Sequence, residues 1–512
     1  VSSAGPPTAD PNAAIDWKVI AHHARERFGI SRFRPGQRPV IEAVLGGRDV
    51  VGTMPTGAGK SLCYQLPALV LPKATVVVSP LISLMQDQRE KLIQADIPTS
   101  SLNSTLTASE ERQAVTDIRQ GESELIYVTP ERLESAEYLD LLKRAGVSLF
   151  VVDEAHCVSH WGHDFRPAYL ALRDAAQALG RPPILALTAT ATADVTADIC
   201  AQLALRQPLF VDTGIDRPNL DFEVLRTVNE QSKRDRLLEV LAMHRARAHS
   251  GSGIVYTATV KIADELWSWL QGLGISAGRY HAKLGNADRE ETQQRFMAGD
   301  FELIVATKAF GMGIDKPDIR FVVHWNFPDS LESYYQEAGR AGRDGDPARA
   351  VLLYRLEDRR IQSYFLGGRY PARHQSWQVY ETLARLTAGA DAEQGITFKT
   401  LLASADLPER KVKVIVALLD AAGIVRRGRR LRKLRDLRTA DEIESFLAAY
   451  EQRHSTDRER LREMMRYAES ASCRMEHLRA YFGDPDSAPC GRCDNCRSSK
   501  DSVAAVAVAP QR

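Results

Sequence analysis

Residues 49–61 read Asp-Val-Val-Gly-Thr-Met-Pro-Thr-Gly-Ala-Gly-Lys-Ser. A β-branched run that breaks into a glycine-rich turn ending in Lys-Ser is the pattern of a strand, a phosphate-binding loop and the start of a helix. Gly57 and Gly59 let backbone N–H groups turn inward around an anion, with Thr56 beside them in the same binding loop. Lys60 can reach the outer phosphates, and the Ser61 hydroxyl can ligate magnesium. Met54 stands where the strict pattern has its first glycine, so the string alone also suits an ordinary loop before a helix.

Outward from this loop, the apolar run at 149–152 ends in Asp153-Glu154-Ala155-His156. A carboxylate at the end of a buried strand can hold Mg²⁺ opposite the loop, while Glu154 orients or deprotonates an attacking water. Seen alone, such a pair is a cap or a solvated turn; with the loop upstream it points to nucleotide hydrolysis. Residues 336–345, Gln-Glu-Ala-Gly-Arg-Ala-Gly-Arg-Asp-Gly, put Arg340 and Arg343 one helical turn apart, so both can face one cleft. Cations there would neutralise charge developing on a γ-phosphate; arginines on a solvated helix are the alternative.

Short apolar runs begin at 76, 125, 148, 184, 253, 303 and 321, alternating with amphipathic stretches. This is the α/β class, with buried parallel strands joined by crossover helices. The pattern breaks at 214–220, GIDRPNL, as a linker would, and two α/β domains in tandem are expected. After about residue 355 helical periodicity takes over: Val412, Ile415, Val416, Leu418 and Leu419 share a face, and Gly423 is a helix stop. A hairpin-like basic segment follows, carrying eight basic residues and one acidic between Arg426 and Arg438. A helix pair with a basic hairpin suggests a winged helix able to neutralise phosphates; a solvated or protein-binding face is the alternative.

The 512 residues exceed what one core organises, and 44% hydrophobic with 26% charged residues argues against wholesale disorder. A net charge of +1 means that any polyanion must be held by local patches. No membrane-spanning run or leader pattern occurs, so a cytoplasmic protein is expected, nucleoid-associated if bacterial. The absence of an initiating Met suggests a trimmed chain. The expected divisions are a tail at 1–15, α/β domains at 16–214 and 215–355, a helical or winged-helix region at 356–455, a helical metal module at 456–498 and a tail at 499–512.

Cys473 is followed after sixteen residues by Cys490, and Cys490, Cys493 and Cys496 recur at two-residue spacings. Four thiolates in this pattern suit a tetrahedral, structural Zn²⁺ site, with disulfides or an iron–sulfur cluster as alternatives.

The ordered blocks FRPGQ (33–37), TGAGKS (56–61), SPLISLMQDQ (79–88), VTPERL (128–133), DEAH (153–156), LTATAT (187–192), ATKAFGMGIDKPDIR (306–320) and QEAGRAGRDG (336–345) resemble the RecQ family of superfamily-2 DNA helicases. The resemblance covers about residues 20–355 and resumes at 456–498. It implies two RecA-like domains and a small zinc module, with ATP, Mg²⁺ and Zn²⁺ as cofactors; the helical, winged-helix-like region between them is read from the residues alone. It further implies 3′ to 5′ translocation on single-stranded DNA and unwinding of tailed or forked duplexes in repair or recombination, by a monomer. A translocase or strand-annealing protein without productive unwinding is the alternative. By position, Gln37 and Arg34 would read adenine, Lys60 and Ser61 bind phosphate and Mg²⁺, and Asp153 hold the metal. Glu154 would act on water, Arg340 be the arginine finger with Arg343 in support, and Gln336 couple the domains. Ile30 stands where the family often has an aromatic residue, and the winged-helix-like segment precedes the zinc module instead of following it.

Residues 156–169 concentrate His156, His160, Trp161, His163, Phe165, Arg166 and Tyr169 directly after the metal-binding carboxylate. Bases stack on aromatic faces irrespective of sequence, so this segment would report DNA occupancy to the hydrolytic site; filling a core is the alternative.

Overall fold

The computed structural model describes residues 15–159, 166–246, 251–311, 314–369, 373–388, 395–428, 430–437, 440–485 and 488–499. The apolar runs become the central strands of two parallel sheets. In chain order the first sheet holds β1 (Val50–Thr53), β2 (Ala74–Val78), β3 (Thr99–Leu102), β4 (Leu125–Val128), β5 (Val147–Val152), β6 (Ile184–Thr188) and β7 (Leu209–Asp212). Their order in space is β3-β4-β2-β5-β6-β1-β7, and every pairing is parallel. Register sets Thr53 beside Thr188 and Val152 beside Ala186. The segments that leave β1, β5 and β6 therefore emerge at one edge, with β6 between the other two.

The second sheet holds β8 (Leu220–Arg226), β9 (Ser252–Tyr256), β10 (Ala277–Tyr280), β11 (Leu303–Ala306), β12 (Ile319–His324) and β13 (Ala348–Tyr354), in the order β10-β11-β9-β12-β13-β8. These pairings are also all parallel. Five strands have no counterpart among the apolar runs read from the sequence: the four sheet edges β3, β7, β8 and β10, and the interior strand β13. An edge strand pairs on one side only and carries more polar residues: Ser100 in β3 is buried by bonding its Oγ to Ser123 Oγ at 2.8 Å. β8 opens on Leu220, the last residue of the GIDRPNL interruption.

Residues Arg355–Arg466, with Pro328–Leu331, form a second compact unit. Helices Arg373–Leu386, Phe398–Ala405 and Glu409–Ala421 enclose a core of its own, to which Val412, Ile415, Val416, Leu418 and Leu419 all contribute. Gly423, at φ +66°, ends the third helix. The antiparallel pair β14 (Val425–Arg426) and β15 (Arg432–Lys433) follows, and Leu431 bridges to Ile396. Three helices and a three-segment basic wing are a winged-helix arrangement. The division expected at 455/456 falls inside a single helix, Ala440–Glu469, because no glycine or proline interrupts that stretch. Among the described residues no helix is long and apolar enough to cross a membrane. The tails expected at 1–15 and 499–512 lie almost wholly outside the described residues.

Asp49 ties the base of the first sheet. Its carboxylate accepts from Arg181 Nη1 and Nη2 at 3.1 and 2.7 Å, from the Ile184 amide at 2.9 Å and from the Arg206 amide at 2.6 Å. Burial alone would raise its pKa, but the Arg181 guanidinium and the two amides outweigh burial, and the net shift is downward. Asp49→Ala should cost roughly 3 kcal/mol, because it strands a buried guanidinium. The folded pKa lies below the unfolded one, so the stabilisation is complete above the ordinary carboxylate range and lost as pH falls through the depressed value. In denaturant titrations the gap between wild type and variant should hold from neutrality to about pH 4 and narrow below it. A gap that never narrows in acid would remove the ionised carboxylate from the account.

Candidate functional site

The loop after β1 leads into the helix Leu62–Ala68, with Gly57 and Gly59 at φ +84° and +79°. The positive φ favours glycine at 59, and a Cβ there would lie 2.6 Å from Gln37 Nε2, displacing that side chain from the loop. Lys60 Nζ folds back onto the carbonyls of Met54 and Pro55 at 3.0 and 3.4 Å. Burial lowers its pKa, with Glu154 and Asp153 acting in the opposite sense. Burial, and next the Glu154 carboxylate, push Asp153 up to about 7, with Lys60 opposing. A divalent cation would relieve that carboxylate repulsion, so Asp153 and Ser61 fit a magnesium site.

One cleft of about 570 Å³ is lined by Arg34, Thr56, Gly57, Gly59, Lys60, Ser61, Asp153, Glu154, Gln336, Arg340 and Arg343, among others. The residues singled out for phosphate, metal, water and charge neutralisation thus meet at one place, although they come from both sheets. The arginine-bearing segment lies directly against the phosphate loop: a Cβ at Gly339 would lie 3.2 Å from Thr56 Cβ. The Nε atoms of Arg340 and Arg343 are buried without a hydrogen-bond partner among the described residues. Buried cationic groups, inward-turned glycines and strand-end carboxylates together fit a magnesium-bound triphosphate.

Several side chains are engaged in ways that spacing does not disclose. Gln37 is buried and turned into the loop: its Nε2 donates to Ala58 and Gly59 carbonyls at 3.3 and 3.0 Å, and its Oε1 accepts from the Arg34 amide at 2.8 Å. Arg34 Nη1 donates to the Gly57 carbonyl. Arg343 Nη1 donates to Asp315 Oδ1 at 2.7 Å, and Lys91 Nζ donates to Asp315 Oδ2 at 2.6 Å, an ion-pair chain across the cleft. Burial alone would raise the Asp315 pKa, but Arg343 and Lys91 bring it below the ordinary value. Ile30 packs in the cluster of Ile20, Ala24, Ile41 and Leu66.

His156 is buried, with Nδ1 3.0 Å from Thr188 Oγ1 at the end of β6, and Thr188 Oγ1 donates to the Thr190 carbonyl at 3.0 Å. Arg166 Nη1 donates to the Pro80 carbonyl at 2.9 Å. His160, Trp161, His163 and Phe165 lie outside the described residues.

The Sγ atoms of Cys473, Cys490, Cys493 and Cys496 all lie within 4.8 Å of one another, and those of Cys473 and Cys493 are 3.9 Å apart. None is in a disulfide. Tetrahedral zinc–thiolate bonds of about 2.3 Å place sulfurs about 3.8 Å apart, so the set fits zinc. The Cys490 amide donates to Cys473 Sγ at 3.1 Å; burial opposes the thiolate, but this amide and that of Glu476 bring Cys473 down to about 7. Beside the thiols, buried Arg474 grips Asp494 through Nε and Nη2, each at 3.0 Å, and Asp494 accepts from the Val224 amide of β8 at 3.0 Å. That pair moors the cysteine module to the second sheet, and nothing in the cysteine spacing discloses it.

The comparisons with known proteins agree with this geometry. The DEAD/DEAH box helicase family model matches residues 34–199, the helicase conserved C-terminal domain 232–345 and the RecQ zinc-binding region 430–497. The probable ATP-dependent DNA helicase RecS of Bacillus subtilis (strain 168) is 41% identical over 341 residues, covering 66% of this chain and 67% of that protein. The chain belongs to the RecQ family. The ATP-dependent DNA helicase RecQ of Bacillus subtilis (strain 168) is 44% identical over 350 residues, 68% of this chain and 57% of that one. The chain thus spans about a third to two thirds of the length of the curated relatives it matches. Two solved structures share the fold: Mycobacterium smegmatis helicase Lhr bound to ssDNA and AMP-PNP has a TM-score of 0.55 at 20% identity, covering 86% of this chain and 63% of that one. S. cerevisiae Dbp5 bound to RNA and ADP BeF3 has a TM-score of 0.53 at 18% identity, covering 68% and 91%.

The RecQ zinc-binding match and the four-thiol geometry generate a direct test. By atomic emission the wild type should carry near-stoichiometric zinc and Cys493→Ser should lose it, and the variant should unfold at lower temperature. Full metal content at unchanged thermal stability would contradict a structural zinc site.

Proposed function

We propose that the chain is an ATP-dependent DNA helicase that moves 3′ to 5′ along single-stranded DNA and opens tailed or forked duplexes, acting as a monomer in repair or recombination. On this reading it works in the cytoplasm, at the nucleoid if bacterial. The observation that supports it best is the convergence of phosphate loop, strand-end carboxylates and paired arginines on one cleft in a chain of the RecQ family. Lys60 exchanges the carbonyls of its own loop for the β/γ-phosphates. Arg340 neutralises charge on the departing γ-phosphoryl, with Arg343 in support once it leaves Asp315, and Gln336 couples the lobes. Magnesium held by Ser61 and Asp153 would supply additional charge neutralisation. Glu154 orients the attacking water. Gln37, released from the loop, reads the adenine edge with Arg34.

Nucleic acid engages the segment after His156, including His160, Trp161 and Phe165. His156 and Arg166 transmit occupancy to the site, the first through Thr188 and the second through Pro80. The wing contributes Arg426, Arg427, Arg430 and Arg432, which surround one open pocket and present charge to phosphodiesters.

Three measurements check this reading. Wild type should hydrolyse ATP faster with single-stranded DNA and displace a strand from 3′-tailed but not 5′-tailed duplexes, while Lys60→Ala abolishes both; ATP turnover without displacement on any tail would leave a translocase or annealing protein. Trp161→Ala should keep nucleotide affinity and lose most of the DNA stimulation, and undiminished stimulation would remove the coupling role. Replacing Arg426, Arg430 and Arg432 together by Ala should flatten the salt dependence of duplex affinity by about 0.9 in log–log slope per lost phosphate contact. An unaltered slope would take the wing off the DNA.

A further inference from the structure

The GIDRPNL segment reads as a linker, yet Arg217 within it is half-buried and spends its whole guanidinium on fixed partners. Its Nη1 donates to two carbonyls at once, Thr56 of the phosphate loop at 2.8 Å and Gly339 of the arginine-bearing segment at 3.2 Å. Its Nη2 donates to Ala341 and Gly342 at 3.0 and 2.6 Å. All four terminal N–H groups are thus used, and every acceptor is a backbone carbonyl. Burial lowers the Arg217 pKa, the direction expected of a cation held without a bonded carboxylate.

Its neighbours hold the backbone in place. Asp216 accepts from Arg479 at 2.7 Å and Arg492 at 2.6 Å, both in the cysteine module, and Arg492 Nη2 also donates to the Arg217 carbonyl at 3.0 Å. Tyr335 donates its hydroxyl to the Ile215 carbonyl, and Asn219 Nδ2 donates to Gly342 at 2.7 Å. The segment is therefore bonded to the second sheet and the cysteine module, and among the described residues its hydrogen bond to the phosphate loop comes from Arg217 Nη1.

We propose that Arg217 is a positioning residue: a strap that sets the distance between the phosphate loop and the segment bearing Arg340 and Arg343. The inference rests on the hydrolytic reading above. Three of the four bonds belong to 339–342 and one to Thr56, so when the lobes swing Arg217 travels with the arginines and releases Thr56. Each return to the closed arrangement remakes that bond and brings both arginines to the same place over the loop. A misplacement of order 1 Å at a reacting centre costs up to about a hundredfold in rate. Lysine preserves the charge but offers three donors on one nitrogen in place of the four terminal N–H groups of a planar fork, so it cannot hold Thr56, Gly339, Ala341 and Gly342 all at once.

The test compares wild type, Arg217→Lys and Arg217→Ala by ATP turnover with saturating single-stranded DNA, ADP affinity by calorimetry, and hydrogen exchange of the nucleotide-free protein. Both variants are expected to lose roughly 10- to 100-fold in kcat with KM for ATP and ADP affinity within about threefold of wild type. Exchange across 336–345 should quicken in both. Should the Lys variant restore kcat and exchange to wild-type levels, Arg217 supplies only charge and the strap is wrong. If the wild type itself fails to turn over ATP with DNA, the hydrolytic reading falls. In that case the exchange arm still decides whether Arg217 ties the two segments: unchanged protection at 336–345 overturns it, and quickened exchange supports it.

Discussion

Parallel pairing is the constraint on which the rest depends. In a sheet whose strands all run one way, every strand ends at the same edge, and the segments leaving there are forced together whatever their separation along the chain. β1 delivers the phosphate loop, β5 delivers Asp153 and Glu154, and β6 between them delivers Thr188 and Thr190. About a hundred residues separate Lys60 from Asp153 in sequence, yet one intervening strand separates them in space. The buried contact from His156 to Thr188 is a consequence of that order: it joins two adjacent strand ends and stiffens the turn that carries the carboxylates.

The second sheet repeats the same device, and its arginine segment abuts the phosphate loop of the first. Neither lobe supplies a complete set of groups. The first holds the loop, the carboxylates and Lys60; the second holds Gln336, Arg340, Arg343 and Asp315. A site divided in this way makes chemistry depend on how the lobes meet, and that is the property a motor needs if nucleotide turnover is to be tied to movement along a strand. The ion-pair chain from Lys91 through Asp315 to Arg343 occupies the arginine, so a phosphate in the cleft would have to compete with Asp315 for it.

The cysteine module belongs mechanically to the second sheet. Arg474 and Asp494 form a buried pair with excellent geometry, and the amide of β8 takes up a remaining lone pair of Asp494, which offsets the desolvation such a pair incurs. The module also reaches the segment between the sheets through Arg479 and Arg492. Zinc geometry and helicase architecture are thereby connected by ordinary side-chain contacts, and removing the thiols would loosen more than the knot they form.

Read from residues alone, the chain already discloses its class, its two sheets, the phosphate loop, the strand-end carboxylates, the arginine pair, the helix face around Val412 and Leu419, and the four thiols. Each of these is a local pattern, set by periodicity or by spacing within a few residues, and local patterns survive in one dimension. Edge strands such as β3 and β10 were obscure because burial on fewer sides leaves no continuous apolar run. Gln37 turned into the loop, Asp315 between two cations, Arg474 on Asp494 and Arg217 across four carbonyls were invisible for a different reason. The contacts of Gln37 and Arg217 end on backbone carbonyls, which leave no mark on the identity of the accepting residue, and those of Asp315 and Arg474 join charges twenty or more residues apart, so only the folded chain decides which side chains meet.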